Sequence, residues 1–327
     1  MDRIDEMIAF VAAVDESSLV GASQRLGRSP AAITRAMASL EHRIGTRLLH
    51  RTTRALRLTE AGERYLSTCR RILADLEEAD LAAAGERSAP RGILNVTAPL
   101  FFGRLYVRPL VDAFLDAYPS VQARLLLLDR VVNVIDEGMD VAVRLGHLPD
   151  SGLIAVRTGE VRRVVCASPT YLARRKEPRD PADLKSHDCI SLARITPTDV
   201  WTFVSATREK APRQVRVRSR LTISEAEAAI GSVVEGHAVA CFYSYQVERE
   251  LLAGKLKVIL EDFEPPALPV HVVYPEARLS AAKVRAFVEL AVPQLKRQLA
   301  RICESVNAAS TRRSAPPRAR HKRRDIS

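Results

Sequence analysis

Apolar residues recur at Ile4, Ile8 and Val11, and again at Met7, Phe10 and Val14. These spacings of three and four lay one broad apolar stripe along a helix over residues 3–16. Ala22 and Leu26 keep the helical spacing, as do Ile33, Ala36, Met37 and Leu40, on either side of a break at Gly27-Arg28-Ser29. Gly27 suits a tight turn because it takes positive φ without a Cβ clash. Ser29 can accept a backbone N–H as the cap of the second helix, and Pro30 fits its first position, where no N–H is required. The pattern predicts two short helices joined by a tight turn, the second able to enter a DNA major groove. Leu56 and Leu58 alternate with Arg57, which predicts a strand and a two-stranded wing with Arg51 to Arg54 at or near its tip.

One long helix is predicted over residues 59–86, with Thr59 as N-cap. Tyr65, Cys69, Ile72, Leu76, Ala79 and Ala83 repeat at alternating intervals of four and three, a heptad seam. An apolar seam on an otherwise charged helix needs a partner, so self-association through these six residues is expected. The alternative is a helix lying on its own domain. Ser88-Ala89-Pro90-Arg91-Gly92 marks a boundary. Beyond it, strands at 93–97, 121–128, 140–145, 161–167, 189–192, 216–223, 238–242 and 270–274 alternate with helices at 102–118, 131–137, 225–235 and 280–305. Such alternation predicts an α/β fold with largely parallel sheets.

The chain has 327 residues, 47% of them hydrophobic, enough for two or three domains with a sizeable core. Its net charge of +11 favours an anionic partner, nucleic acid first and a membrane surface second. Between Ser17 and Thr59 the basic residues Arg25, Arg28, Arg35, Arg43, Arg47, Arg51, Arg54 and Arg57 face Glu41 alone. Guanidinium groups bind phosphate as a fork and read guanine edges bidentately. No apolar run approaches the roughly 20 residues that span a bilayer, and the acidic N-terminus is no secretory signal, so a cytoplasmic protein is expected. Cys69, Cys166, Cys189, Cys241 and Cys303 form no C-x-x-C pair and are expected as buried free thiols. The seven histidines lack ligand spacing, so no metal or other cofactor is expected. The absence of nucleophile-elbow, phosphate-loop and dinucleotide motifs argues against an enzyme.

The N-terminal stretch resembles the DNA-binding domain of LysR-type transcriptional regulators. The resemblance rests on Phe10-Val11, Ala22, Leu26-Gly27, Ser29-Pro30-Ala31-Ala32-Ile33-Thr34-Arg35, Leu40-Glu41, Gly45, Leu48-Leu49, Arg51-Thr52 and Leu58-Thr59-Glu60-Ala61-Gly62. Arg28 departs from a usual apolar residue and Ser23 from a usual alanine. On this reading Arg28 points outward, toward phosphate. Further on, Asp140-Val141-Ala142-Val143-Arg144-Leu145-Gly146, Asp183-Leu184 with His187 and Cys189-Ile190, Trp201-x-Phe203 and Glu235-Gly236 are similar to signatures of the same family's effector domain. Together the resemblance covers about residues 3–304.

It implies a winged helix-turn-helix at 1–58, a linker and dimerisation helix at 59–90, and an effector domain at 91–304 with the two-lobed fold of periplasmic solute-binding proteins. Lobe one is expected at 91–162 plus 266–304, lobe two at 163–265, and a basic disordered tail at 305–327. Ser29, Pro30, Ala31, Thr34 and Arg35 are expected near bases or adjacent phosphates of double-stranded DNA, with Arg51, Thr52 and Arg54 along the flanking backbone. Ligands of open α/β sheets bind beyond the carboxyl ends of strands, and helix N-termini favour carboxylates. That places a small anionic or aromatic effector against Thr97, Ala98, Pro99 and Leu100, with Ser224 capping a facing helix and Arg144 and Ile195 nearby. The expected protein is a ligand-responsive regulator acting as a homodimer or homotetramer, with RNA polymerase as a further candidate partner. The alternatives are a solute-binding protein and a thiol-redox-sensing regulator.

Overall fold

The computed structural model describes residues 2–51, 56–83, 89–149, 152–193, 195, 198–204 and 212–311. The N-terminal unit has helices α1 (Arg3–Asp15), α2 (Leu19–Arg25) and α3 (Pro30–Ile44), then strands β1 (Leu49–Arg51) and β2 (Leu56–Leu58), paired antiparallel. Ser18 and Ser29 cap α2 and α3, each side chain accepting a backbone N–H at 3.2 Å. Gly27 takes the turn at φ +61° and Gly45 ends α3 at φ +75°, positions a Cβ would strain. Small residues, Ala9, Ala12, Ala13, Ala22 and Ala36, let α1 to α3 approach closely. Phe10, Met37, Leu40 and Leu48 fill the space beneath, each worth ~1.5–3 kcal/mol in burial.

Helix α4 (Glu60–Ala83) leaves the wing through Thr59, whose Oγ1 donates to the Arg47 carbonyl and accepts from the Gly62 N–H at 3.0 Å. Its first two seam positions do not face outward. Cys69 is fully buried in the domain's own core with Leu66, and Tyr65 packs on Phe10 with ring centroids 5.9 Å apart. The start of this helix is the fourth wall of the small domain, because three short helices cannot bury Phe10 alone. Ile72 and Leu76 remain exposed, at 36% and 38%. The side chains of Ala79 and Ala83 lie outside the described residues.

The C-terminal region contains two five-stranded sheets. The first is built from β3 (Gly92–Ala98), α5 (Leu100–Phe102) running through a π-turn into α6 (Arg108–Ala117), β4 (Val121–Leu127), β5 (Val141–Leu145) and β6 (Leu153–Val161). The chain segment that forms the second runs through β7 (Arg163–Ala167), α7 (Pro169–Arg174), β8 (Asp188–Leu192), the outlying strands β9 (Val200–Phe203) and β10 (Arg213–Arg216), β11 (Arg218–Ile223), α8 (Ala226–Val234), β12 (Val239–Tyr243), α9 (Ser244–Leu252) and β13 (Lys257–Ile259). The chain then returns to the first sheet with β14 (Leu268–Pro275) and closes with α10 (Ala282–Thr311). The strand orders are β4-β3-β5-β14-β6 and β11-β8-β12-β7-β13, with β9 and β10 a separate hairpin.

The two sheets are mixed rather than largely parallel. β3 runs parallel to β4 and β5, but β14 is antiparallel to β5 and β6. In the second sheet β8 is parallel to its neighbours, while β7 is antiparallel to β12 and β13. The reversal follows from the double crossing: the chain leaves one sheet by β6 and re-enters it by β14, so both arrive without a helical crossover. At the crossing, the Arg162 Nε and Nη2 each lie 2.8 Å from a Glu264 carboxylate oxygen, tying the outgoing strand to the returning one.

Three further expectations change. Residues 131–137 form a turn closed by Asn133, whose side-chain oxygen accepts from Ile135 and Asp136, not a helix. The stretch 216–223 splits at Val217 into β10 and β11, which belong to different sheets. The last helix runs to Thr311, so residues 305–311 are not tail; Val306 is fully buried.

Candidate DNA-reading face and ligand cleft

Pro30, Ala31, Thr34 and Arg35 are all exposed, as is the cap Ser29, while Ile33, Ala36, Met37 and Leu40 are buried. One face of α3 thus holds the helix in the domain and the other is open to a groove. Thr34 spends its hydroxyl on the Pro30 carbonyl, at 3.0 Å. Arg51 contributes backbone to β1; Thr52 and Arg54 lie outside the described residues.

The basic surface is narrower than the linear count suggested. Acidic residues of α1 neutralise part of it: Asp15 takes Arg25 and Arg70, Glu6 takes Arg43, and Asp5 takes Arg28. Arg28 therefore points back onto α1, not to phosphate. These pairings bring together residues far apart in sequence, so a count over a window could not foresee them. Arg35, Arg47 and Arg57 are exposed and have no ion pair among the described residues.

Between the two sheets lies a cleft of about 210 Å³. Pro99 and Leu100 line it, as does Ile195. Three other expected residues do not. Thr97 and Ala98, the last two residues of β3, are fully buried inside the first sheet's core. Arg144 turns away, its Nη2 donating to the Val132 carbonyl at 2.5 Å, while its neighbour Leu145 faces the cleft. Ser224 lines the cleft but does not cap α8; Glu225 does, its carboxylate accepting from the Ala228 N–H at 2.8 Å. Across the cleft, Asp129 accepts from the Leu100 N–H at 3.0 Å. Both helix starts that might have held an effector carboxylate are therefore already met by the chain's own carboxylates. An anionic effector would meet two like charges there.

Leu192, Ala226 and Gln246 complete the lining together with three aromatic rings. Phe101, Tyr243 and Tyr245 line it, with Tyr243 stacked on Tyr245 at 5.9 Å and 11°. Tyr245 also meets Phe102 edge-on at 5.1 Å, and Arg104 stands over Phe101 while pairing with Glu227 of α8. Burial drives the Tyr245 hydroxyl well above its ordinary pKa and raises Tyr243, so both rings remain neutral donors. Sequence reading missed Asp129, Tyr243 and Tyr245. The signal was present: each follows or ends a strand at its carboxyl end, β4 or β12, where ligands of such sheets gather.

Cys69, Cys166, Cys189 and Cys241 are buried. Desolvation pushes Cys69 to about 11 and Cys189 and Cys241 to about 12, which disfavours the reactive thiolate. Cys166 pairs across from Ala240 while Cys241 pairs with Val165, so the two thiols point to opposite faces of the sheet. Among the described residues, no helix is long and apolar enough to cross a membrane.

A capped recognition helix with an open basic face, joined by a long helix to two lobes around a cleft, defines a DNA-binding regulator with a ligand-sensing domain. Residues 4–63 match the model of the bacterial regulatory helix-turn-helix proteins of the lysR family, and residues 87–296 match that of the LysR substrate binding domain. An HTH-type transcriptional regulator of Xanthomonas campestris is 32% identical over 293 residues, 89% of this chain and 85% of that one. The regulator PtxR of Pseudomonas aeruginosa is 31% identical over 93% of this chain and 96% of its own. The solved structure of CrgA, a LysR-type transcriptional regulator from Neisseria meningitidis, is similar with a TM-score of 0.57 at 28% identity, covering 89% of this chain and 98% of that one. The chain belongs to the LysR family and is a ligand-responsive transcriptional regulator of that type.

Proposed function

We propose that this regulator binds a pseudo-palindromic duplex site as a dimer or tetramer, reading bases with Ser29, Pro30, Ala31, Thr34 and Arg35 and bracing on flanking phosphates with the wing residues Arg51, Thr52 and Arg54. The observation that carries this reading is the exposed face of α3, open along Ala31, Thr34 and Arg35. Two such helices must be presented together, and Ile72 and Leu76 on α4 supply the unpaired apolar surface for pairing. The working units are the DNA-binding domain at 1–58, the linker at 59–90 and the effector domain from 91, extended to the end of α10 at Thr311.

The effector of this reading is aromatic and neutral or cationic. Three aromatic rings line the cleft, one of them already holding a guanidinium over its face, and Asp129 and Glu225 bring negative charge to it. Effector binding shifts the lobe pair and with it the spacing of the DNA half-sites.

The test is DNA protection on fragments from upstream of the protein's own gene and its divergent neighbour, at several salt concentrations, with and without residues 312–327. Two protected half-sites without those residues support the regulator reading. Weak binding that vanishes with salt would leave only a basic protein. Tyramine, tyrosol and 4-hydroxyphenylacetate, which share a ring and differ in charge, then test the effector class. A footprint altered most by the carboxylate would sink the neutral-or-cationic assignment.

A further inference from the structure

A second cavity, of about 190 Å³, lies within the lobe built on β7, β8 and β12, under the β9–β10 hairpin. Val165, Ile195, Val200, Phe203 and Leu260 give it apolar wall, and Arg163, Trp201, Thr202 and Glu264 bring polar side chains. The Arg163 Nε and the Trp201 Nε1 are both buried and have no hydrogen-bond acceptor. A buried donor left unmade costs ~1–3 kcal/mol, so two at the wall of one cavity call for an acceptor from outside the chain.

The charge of the site is settled by its neighbours. Glu264 also lines the cavity, but its carboxylate is taken by Arg162 through two contacts of 2.8 Å. Arg162 carries both Glu264 and Glu261, while Arg163 has no ion pair among the described residues, so its guanidinium stands at the cavity with no carboxylate of its own. Leu260, also in the lining, holds φ +60°, a conformation that costs a non-glycine residue ~1–3 kcal/mol and tends to cluster at ligand sites. The size also discriminates, since an apolar cavity of roughly 150 Å³ accepts a benzene ring.

We infer that this cavity is a second ligand site, separate from the cleft, that takes a small aromatic monocarboxylate, the ring against Phe203 and Val165 and the carboxylate against Arg163 and Trp201. Ile195 lines both this cavity and the cleft, so an occupant of one touches the wall of the other. The inference does not depend on which effector the cleft takes.

Trp201 is the only tryptophan in the chain, so its fluorescence reports on this cavity. The experiment is a benzoate titration of the full-length protein, followed by tryptophan emission and repeated by calorimetry, with benzyl alcohol as the uncharged comparison. A saturable emission change is expected, at least tenfold weaker with benzyl alcohol. Arg163→Gln should weaken benzoate at least tenfold, Arg163→Lys less, and Arg108→Gln, a surface arginine elsewhere, not at all. The proposal is overturned by no saturable change in the unaltered protein, by equal binding of benzyl alcohol, or by unchanged benzoate binding in Arg163→Gln. The first two outcomes need no variant and stand even if Arg163→Gln fails to fold.

Discussion

The carboxylate of Glu6 on α1 accepts from both Nε and Nη2 of Arg43 on α3, at 3.1 and 3.0 Å, and from the hydroxyl of Ser39. The glutamate side chain is only 4% exposed, the arginine 32%. This pair fixes α3 against α1. Burial alone would raise the Glu6 pKa, but Ser39 and Arg43 outweigh it and hold the carboxyl below its ordinary value near 4.5. Glu6→Ala should therefore destabilise the N-terminal domain by about 2–3 kcal/mol, read as faster hydrogen exchange in α1 and α3 of the full chain. Because the folded pKa lies below the unfolded one, the contribution is complete above about pH 4.5 and is lost as pH falls through the folded value. Exchange in these helices should accelerate only under acid, and the variant should lack that acid step.

Arg35 and Arg28 sit seven residues apart and should behave differently. Arg35→Ala removes an unpaired, outward guanidinium and should weaken specific DNA binding by ~1–3 kcal/mol if it reads a base. Arg28→Ala breaks a pair with Asp5 and should change DNA affinity little. Fluorescence anisotropy on specific and random duplexes separates the cases. Equal losses on both duplexes would assign Arg35 to phosphate.

The seam on α4 divides at Cys69. Ile72→Glu with Leu76→Glu should give a monomer by sedimentation and lower two-site DNA affinity by about a hundredfold or more, since the second half-site is no longer tethered. Cys69→Ser instead buries a hydroxyl in the domain's own core and should cost about 1–3 kcal/mol of stability without moving the association constant. A variant at Cys69 that dissociated the dimer while leaving stability intact would restore that residue to the seam.

Iodoacetamide at pH 8 should modify Cys303 first in the folded chain. With its pKa near 11, Cys69 holds about one thiolate in a thousand at that pH, and Cys189 and Cys241, near 12, fewer still. Mass spectrometry after timed quenching checks the order. Rapid modification at Cys189 or Cys241 without unfolding would reopen the redox-sensing alternative.

The N-terminal domain was largely legible in the sequence because its signals are local. A cap, a turn glycine and apolar residues at spacings of three and four act within one or two helical turns, and Ser29, Gly27 and the buried face of α3 follow from them directly. The alternation of strands and helices likewise foretold an α/β region, though not the antiparallel strands in its sheets, and the two lobes were expected only from the family resemblance. What only the tertiary structure decided depends on residues distant along the chain. Pairing of Arg28 with Asp5 and of Arg43 with Glu6 narrowed the basic face, because ion pairs form between helices that sequence position does not bring together. Cys69 satisfied the heptad spacing yet serves the domain's own core, since periodicity names a buried face without naming what buries it. In the cleft, a serine before a helix is a sound cap in isolation, but Glu225 one residue later reached the same N–H groups and brought a charge. That charge is matched by Asp129 after β4, and which backbone N–H each carboxylate takes was decided only when the two segments met at the cleft.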